Sequence, residues 1–508
     1  MGKKNEQNIS RRSFLTGAGL TTALAAGTIL AGCGPQPAPS ADAEAPKSDP
    51  IAWDKEADVI VVGGGGAGIS AALKASEAGC TVIVLEKGVR PGGSTALCGQ
   101  AIMGVCTSVQ KAAGIEDSVE EAMKYFNAVA DGRDDLLRFV VEHSGEAVDW
   151  LVGLGMEVPA QAGTPGLSCG GQEYTLADIT PPVMRTHWAV KPEPGLWPVL
   201  LKAAEADANI TIETKTPGTE LVQDHTTGEI LGVKSGDVTY KARKGVVLSA
   251  GGFARNEEMF HALVNRHTVH TTANPQDTGD GINMAVDVGA GSGYFGMLST
   301  VDYVNPSLPC VFIVLGPDAL KDKPPFILVN EQGERFSNER KFYSYVCEDL
   351  LKQTNARAYL VTCGENGFAG MTKAGEQAFK ADTIEELAAA IQVDPAVLKN
   401  TVETWNKQCA DGTDTQFGRT DALYPLPAAP YYAAEVKASN ASTFGGVTID
   451  TDMHVIRAID GKPIPRLYAA GMNTMALGRF YPTCGTAVSA AISTGMQAGI
   501  NVAKETSL

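Results

Sequence analysis

Residues 58–68 read DVIVVGGGGAG, a short apolar run followed by closely spaced glycines. The three-glycine spacing within this segment is that of a dinucleotide-binding turn. The first glycine makes the turn, the second lets the backbone approach a pyrophosphate, and the third lets a helix pack closely on a strand. The free N–H groups at the start of that helix would hold the phosphates. The predicted contacts in this turn are Gly63, Gly65, Gly66, Ala67 and Gly68.

The elements around this turn have the order that a dinucleotide site requires. Residues 59–62 are uninterrupted apolar residues and predict a buried parallel strand. An alanine-rich helix is predicted at 69–77, and a second strand at 81–85 ends in Glu86, whose carboxylate would accept ribose hydroxyls. A glycine-rich loop in an unrelated protein would not require all these elements. The sequence therefore predicts an α/β fold with a Rossmann-like domain.

Further glycine-rich turns identify the dinucleotide. They are EKG at 86–88, GGST at 92–95, VVLSAGG at 246–252, TGDGI at 278–282 and YAAGM at 468–472. Together these segments resemble the flavoprotein superfamily of fumarate reductases and succinate dehydrogenases, which also holds 3-ketosteroid dehydrogenases and urocanate reductases. The resemblance implies FAD, bound non-covalently. It places further cofactor contacts at Lys87, Gly93, Ser94, Thr95, Ala250, Gly251, Gly252, Asp280, Gly471, Ala487 and Val488.

The resemblance also implies how the chain is divided. A discontinuous FAD-binding domain would take residues 54–295 and 434–508, and an inserted α+β substrate-capping domain would take residues 296–433. Within the inserted part, helical spacing recurs at 350–360, 384–391 and 398–405. The proline- and aspartate-rich stretch 411–430 reads as a return linker.

Several positions depart from the fumarate reductase pattern. Residues 330–339 (NEQGERFSNE) match the motif that precedes the acid of those enzymes, but the arginine expected four residues later is Tyr343. The histidine expected before paired glycines is absent from 442–446 (STFGG), and Asn305 replaces the histidine expected before a proline. No arginine follows Gly485. A dicarboxylate would therefore lack its bidentate clamp.

The same departures resemble the 3-ketosteroid dehydrogenases. Their tyrosine at the position of Tyr343 exchanges a proton with the substrate, and Arg340 is a neighbour that could stabilise its phenolate. Their C-terminal Tyr-Pro-x-x-Gly signature matches residues 481–485 (YPTCG). The resemblance implies that the Tyr481 hydroxyl and the Gly485 N–H bind the ketone oxygen as an oxyanion hole. The alternative for either tyrosine is an ordinary half-buried core residue.

The N-terminus predicts export. Residues 10–15 (SRRSFL) carry a twin-arginine signature, and residues 30–33 (LAGC) resemble a lipoprotein lipobox. We expect residues 1–32 to be a signal peptide, Cys33 to carry a lipid anchor to the membrane, and residues 33–53 to be a flexible linker. A transmembrane anchor is the alternative, but the apolar stretch is short and rich in glycine.

Composition and the missing motifs restrict partners and function. A formal net charge of −17 argues against nucleic acid as a partner. There is no Cys-x-x-Cys pair, so neither a metal site nor a haem attachment is predicted, and there is no second nucleotide fingerprint for NAD(P)H. Electrons would come from a membrane-associated, quinol-linked donor such as a cytochrome. The resemblance and the predicted export together favour a reductase that transfers a hydride from reduced flavin N5 to the C=C bond of an α,β-unsaturated carbonyl compound, such as a ketosteroid-like enone. The alternatives are a fumarate-, urocanate- or cinnamate-type reductase, an oxidative ketosteroid dehydrogenase, and a flavin-binding lipoprotein without turnover.

Overall fold

The computed structural model describes residues 51–159, 166–171, 182–190, 194–265, 270–303, 325–364 and 378–508. The predicted signal peptide, Cys33, most of the linker and Asn305 lie outside the described residues. Residues 52–508 belong to one compact unit. None of the helices in the described part of the chain combines the length and the apolar character needed to cross a membrane.

Strands and helices alternate in the N-terminal part and then separate into blocks. The strands are β1 Lys55–Val62, β2 Val82–Glu86, β3 Ala101–Met103, β4 Leu167–Ser168, β5 Thr186–Trp188, β6 Ile210–Thr214, β7 Glu220–Gln223, β8 Ile230–Ser235, β9 Val238–Leu248, β10 His270–Thr271, β11 Ser292–Tyr303, β12 Phe326–Asn330, β13 Arg357–Cys363, β14 Ala378–Ala381, β15 Tyr431–Val447, β16 His454–Ile456 and β17 Pro463–Ala469. The helices are α1 Gly66–Glu77, α2 Gly93–Leu97, α3 Ser108–Ala112, α4 Val119–Val129, α5 Asp134–Gly153, α6 Leu196–Glu205, α7 Glu257–Val264, α8 Asp280–Asp287, α9 Tyr343–Leu351, α10 Ile384–Ile391, α11 Pro395–Asp411 and α12 Thr486–Val502.

The largest sheet has β1 near its centre. Its strand order is β16-β17-β9-β1-β2-β6, with β8 joining β9 and β7 joining β8. The pairs β1–β2, β1–β9, β2–β6 and β9–β17 are parallel. The last four residues of β1 are buried, because helices cover both faces of a parallel sheet. The predicted α/β fold class is therefore confirmed.

A second sheet is built mainly from the middle of the chain. Strand β15 pairs with β10, β11, β13 and β14, and β13 also pairs with β12. The predicted domain borders at 295/296 and 433/434 fall inside β11 and β15, so these two long strands run from one predicted domain into the other. The division into domains stays a prediction. A third, three-stranded sheet has the order β3-β5-β4.

The middle of the chain contains one wrong prediction and two accurate ones. Residues 350–360 do not form a helix: α9 ends at Leu351, and β13 begins at Arg357. All residues of β13 after Arg357 are buried between β12 and β15, and such an uninterrupted apolar run matches a helical period by chance. Helix α10 has the predicted bounds 384–391, and α11 contains 398–405. Residues 412–430 carry neither helix nor strand, in keeping with the predicted linker.

Candidate active site

A cleft with an empty volume of about 740 Å³ opens at the carboxyl end of β1. Strands β1, β2 and β9 end here, so their following loops meet at one edge of the parallel sheet. This edge is where open α/β sheets bind ligands. The start of α1, the start of α2 and the loop before α8 complete the walls.

The fingerprint glycines have distinct geometric roles. Gly63 has φ +104°, and a Cβ there would lie 2.5 Å from the Ser249 carbonyl oxygen. A Cβ on Gly68 would lie 1.9 Å from the Gly63 carbonyl oxygen, so this glycine permits the contact between α1 and the turn after β1. At Gly65, by contrast, the nearest atom to a Cβ is 3.8 Å away. The protein itself leaves room there, as the predicted approach of a ligand to the backbone requires.

The start of α1 is suited to an anion. Its N-cap residue, Gly65, supplies no side chain to the first turn, and no acidic residue occupies that turn. The Gly66 N–H donates to the Thr95 hydroxyl at 3.1 Å. An uncapped helix N-terminus that faces a cleft carries partial positive charge and donors for phosphate oxygens. The cleft therefore fits the pyrophosphate of a dinucleotide.

Two charged residues shape the next part of the cleft. The buried Glu86 carboxylate accepts the N–H groups of Gly64 (2.9 Å) and Gly88 (2.5 Å), which holds the two loops together. The Lys87 amine donates to Asp280 at 2.8 Å. This ion pair joins the loop after β2 to the start of α8, so both predicted contacts lie in the same wall.

The cleft brings together most of the predicted cofactor contacts. Those that line it are Gly63, Gly65, Gly66, Ala67, Glu86, Lys87, Gly93, Ser94, Thr95, Ala250, Gly251, Asp280 and Gly471. Those outside its lining are Gly68, Gly252, Ala487 and Val488. A Cβ on Gly252 would lie 2.4 Å from the Thr443 hydroxyl, so this glycine serves the packing of the turn after β9 against β15. The cofactor roles themselves stay predictions.

Several residues in the lining were not predicted. They include Gly64, Ser249, Asn274, Gln276, Asp277, Met472 and Ala491. Asp277 immediately precedes the TGDGI segment, and its carboxylate oxygen Oδ2 accepts the Ser94 hydroxyl at 3.1 Å. Asp277 belongs to none of the glycine-rich motifs. Only its position next to the TGDGI motif could have indicated from the sequence that it lines the cleft.

The two predicted catalytic tyrosines lie together. The ring centroids of Tyr343 and Tyr481 are 6.4 Å apart, although the two residues are 138 positions apart in the chain. Phe444 of β15 stacks on Tyr481 at 5.6 Å, and Phe342 lies 6.2 Å from the same ring. Both tyrosines are buried, with 6% of Tyr343 and 5% of Tyr481 exposed. The structure thus assembles an aromatic cluster of Phe342, Tyr343, Phe444 and Tyr481.

The Tyr481 hydroxyl lies at the N-terminus of α12. Its oxygen accepts the N–H of Gly485 at 2.8 Å, and the N–H of Ala487 also acts on it. Burial raises the pKa of Tyr481, and these two N–H groups oppose that rise. Gly485, the N-cap of α12, has φ +87° and offers no side-chain cap. Among the described residues none accepts the Tyr481 hydroxyl proton, so this proton can be donated to a ligand oxygen.

The loop that carries Tyr481 is fixed on several sides. The Pro482 carbonyl accepts the Tyr125 hydroxyl at 2.6 Å, and the Thr483 hydroxyl donates to the Gly170 carbonyl at 2.7 Å. A Cβ on Gly485 would lie 2.6 Å from the Met103 nitrogen. These contacts hold the tyrosine oxygen in place before a ligand arrives, which is the condition for electrostatic stabilisation of a developing charge.

Tyr343 is the first residue of α9 and is buried. Burial raises its pKa well above the ordinary value, and Tyr481, Cys484 and Tyr125 add to the rise. Arg340 binds Asp421, with its Nη2 2.7 Å from the carboxylate, so the structure places this arginine in an ion pair. Burial also raises the pKa of Cys484 to about 12, which keeps the thiol protonated and unsuited to act as a nucleophile.

His187 has a structural role. Its ring contacts the Thr107 hydroxyl at 2.8 Å and the Arg185 carbonyl at 2.9 Å, so both nitrogens are occupied. Burial lowers its pKa to about 4, and the ring is neutral at physiological pH. A neutral, fully bonded histidine cannot clamp a carboxylate.

The fold is that of a dinucleotide-binding flavoprotein. It combines a parallel sheet, a glycine-rich turn after β1 and a cleft at the carboxyl edge of the sheet. The chain belongs to the family described as FAD binding domain, whose model matches residues 58–488. The prediction of an FAD-dependent oxidoreductase is confirmed by this membership. FAD is therefore the dinucleotide of the family.

Relatives indicate the chemistry found among similar proteins. A digoxin reductase of Eggerthella lenta is 31% identical over 556 residues, which cover 98% of this chain and 97% of the relative. A urocanate reductase of the same species is 32% identical over 443 residues, covering 82% of this chain and 69% of the relative. The solved 3-ketosteroid-Δ4-(5α)-dehydrogenase of Rhodococcus jostii superposes with a TM-score of 0.72 at 27% identity, covering 89% and 98% of the two chains.

Proposed function

We propose that this protein is an exported reductase that binds FAD non-covalently and reduces the C=C bond of an α,β-unsaturated ketone. The carrying observation is the juxtaposition of Tyr343 and Tyr481 within one aromatic cluster. Bound FAD would supply the hydride. The residues of the chain would bind the ketone oxygen, hold the ring system and deliver the proton.

The oxyanion site follows from the start of α12. When a hydride adds to the β-carbon of an enone, negative charge develops on the ketone oxygen. The Tyr481 hydroxyl can donate its proton toward that oxygen while the Gly485 N–H supports the phenol from behind at 2.8 Å. Our sequence prediction had the Gly485 N–H bind the ketone oxygen directly. The observed bond instead favours a relay from N–H to phenol to substrate, with the partial positive charge of α12 behind it.

The proton donor follows from the environment of Tyr343. The α-carbon of the reduced substrate needs a proton, and a buried phenol whose pKa is raised well above 10 is fully protonated at neutral pH. A dehydrogenase that used this residue as a base would need the phenolate, which burial disfavours. Proton donation leaves the same phenolate, so by microscopic reversibility this residue can serve either direction, and the predicted export is what supports the reductive one.

The aromatic cluster supports a neutral, flat substrate. Phe342, Phe444 and the two tyrosines present ring faces and edges, which contact fused or aromatic rings favourably. Tyr481, Cys484 and Tyr125, which add to the raised pKa of Tyr343, are uncharged groups. These three groups would give a substrate carboxylate no counter-charge. A ring-containing enone fits this environment, and both a digoxin reductase and a ketosteroid dehydrogenase are similar to the chain.

Export and the electron donor complete the proposal. The twin-arginine segment at 10–15 and the lipobox at 30–33 support a lipid anchor on Cys33 at the outer face of the cell membrane. NADH is not available there, so a membrane-associated, quinol-linked carrier such as a cytochrome would reduce the FAD.

A carboxylate-type reductase is the second candidate, because a urocanate reductase is similar over 82% of this chain. The two candidates differ in the oxidant that reoxidises the reduced enzyme. We would reduce the holoenzyme anaerobically with dithionite and follow the flavin absorbance after adding single acceptors. The proposal expects cyclic enones to restore the absorbance and fumarate, urocanate and cinnamate to leave it bleached. Restoration by a carboxylate and not by enones would establish the second candidate.

A further inference from the structure

The carboxylate of Asp277 in the cofactor cleft combines deep burial with few hydrogen bonds. Its side chain is 3% exposed, yet it lines the cleft. Its Oδ2 accepts the Ser94 hydroxyl at 3.1 Å, and Oδ1 has no hydrogen-bond partner among the described residues. A Cβ placed on Gly251 would lie 2.8 Å from Oδ1, so this oxygen faces the glycine turn after β9. A buried carboxylate with one bond has lost water without full replacement.

The charges around Asp277 do not compensate for this burial. The Lys87 amine is bound to Thr278 and Asp280, and the Arg255 Nε donates to the Ala273 carbonyl. Glu86 and Asp280 line the same cleft and add negative charge. Burial raises the pKa of Asp277 to about 6, although Ser94, Lys87 and Arg255 act against the rise. The carboxyl group is therefore poised to change its charge within the physiological range.

We propose that the Asp277 carboxyl contacts the bound FAD and takes up a proton when the cofactor enters the cleft. An entering dinucleotide would complete the exclusion of solvent from Oδ1 and would bring the negative charges of its pyrophosphate. Both changes disfavour the carboxylate and favour the acid. The protonated acid can then donate a hydrogen bond to the cofactor, which a carboxylate cannot do.

This proposal fixes the sign of the pH dependence. The group has a higher pKa in the bound state than in the free state, so binding adds a proton and grows stronger as the pH falls. The pKa of Asp277 without cofactor is about 6, so the affinity for FAD is highest at lower pH. The affinity weakens as the pH rises from about 6 toward the pKa of Asp277 in the complex, by up to about tenfold per pH unit. The inference concerns cofactor binding and goes beyond the proposed reaction, but it relies on the proposed non-covalent attachment.

The test is the dissociation constant of FAD against pH. Dilution of the holoenzyme releases flavin, whose fluorescence is quenched in the protein, and the dissociation constant is read from the dilution curve between about pH 5.5 and about pH 8. We expect a rise of about tenfold per unit over at least one unit above pH 6. Asp277→Asn keeps the shape of the side chain and can donate at any pH. It should flatten the curve and bind FAD more tightly than the wild type at pH 8.

Exposed Asp287 at the end of α8 provides the matched control, and Asp287→Asn should keep the wild-type pH dependence. If the Asn variant does not fold, calorimetric titration of the wild-type apoprotein in two buffers of different ionisation enthalpy measures proton uptake directly. A wild-type dissociation constant that is independent of pH, or proton release on binding, would overturn the inference and leave the proposed reaction untouched. Flavin that stays attached after denaturation would overturn it together with non-covalent binding.

Discussion

The N–H of Gly485 donates to the hydroxyl oxygen of Tyr481 at 2.8 Å, so the phenol and the first residue before α12 form one unit. Gly485 has a φ of +87°, which favours glycine, and the Met103 backbone leaves no room for a side chain there. Both constraints require glycine at the position that donates this bond. The Tyr-Pro-x-x-Gly spacing thus encodes a hydrogen-bonded loop. The ring of Tyr481 in this loop lies 6.4 Å from the ring of Tyr343, centroid to centroid.

Replacing Tyr343 tests the proton donor. Tyr343→Phe keeps the ring within the aromatic cluster and removes the hydroxyl. We expect the reoxidation of the reduced enzyme by an enone to slow by about 10²–10⁴-fold, the usual contribution of a positioned acid. Stopped-flow absorbance measures the rate. Tyr424→Phe, on a tyrosine that is 41% exposed, is the control and should react at the wild-type rate. A Tyr343→Phe variant as fast as the control would remove this residue from the mechanism.

The pH dependence of the same step tests the protonation state of Tyr343. The pKa of Tyr343 is raised by burial, so the acid form persists through neutral pH and is lost only above its ordinary value of 10. The reductive rate should therefore stay constant from about pH 6 to about pH 9, measured with excess FAD to keep the cofactor bound. A rate that rose with pH in this interval would show that the step requires a deprotonated group, and it would contradict the role of Tyr343 as the acid.

The fingerprint glycines should separate cofactor binding from folding. Gly65→Ala places a methyl group in the open cleft, and we expect FAD affinity to fall by at least about tenfold, or about 1.4 kcal/mol, with little change in the stability of the apoprotein. Gly68→Ala drives a methyl group to 1.9 Å from the Gly63 carbonyl, which should destabilise the fold by about 1–3 kcal/mol. Flavin fluorescence and thermal unfolding without FAD distinguish the two effects. Equal losses of stability would contradict the assignment of Gly65 to the ligand.

A buried ion network before α9 should control the stability of the region that presents Tyr343. Glu339 binds the guanidinium groups of Arg335 (2.8 Å) and Arg419 (3.3 Å), and all three side chains are almost fully buried. Glu339→Gln would leave excess positive charge in the interior and should cost about 3–5 kcal/mol. Thermal unfolding of the holoenzyme reports the loss. Glu385→Gln, which breaks an exposed pair with Lys399, is the control and should change little.

The sequence predicted the dinucleotide unit well because its signals are local. The strand, turn, helix and strand from β1 to β2 follow from an apolar run, three glycines and an alanine-rich segment. The helix predicted at residues 350–360 was wrong because the structure of this segment depends on residues far away in the chain. The buried run in β13 has no polar alternation, and its strand state depends on pairing with β15, which lies about 75 residues further along the chain.

The site was predicted to different depths. Motif positions predicted that Tyr343 and Tyr481 belong to the active site. No local pattern could indicate that Phe342 and Phe444 pack beside Tyr481, because these residues come together only in the folded chain. Arg340 is near Tyr343 in sequence, yet its ion pair with Asp421 depends on the loop after α11. Burial and long-range pairing, which set these environments, are properties of the assembled sheet.

A single-turnover comparison of wild type and Tyr481→Phe tests whether the Tyr481 hydroxyl stabilises the oxyanion. Each holoenzyme is reduced anaerobically and mixed with a cyclic enone that reoxidises the wild type. Loss of the phenol removes the donor to the developing oxyanion, so we predict that the variant keeps its FAD and reoxidises about 10²–10³-fold more slowly. Reoxidation of Tyr481→Phe at the wild-type rate would contradict the account.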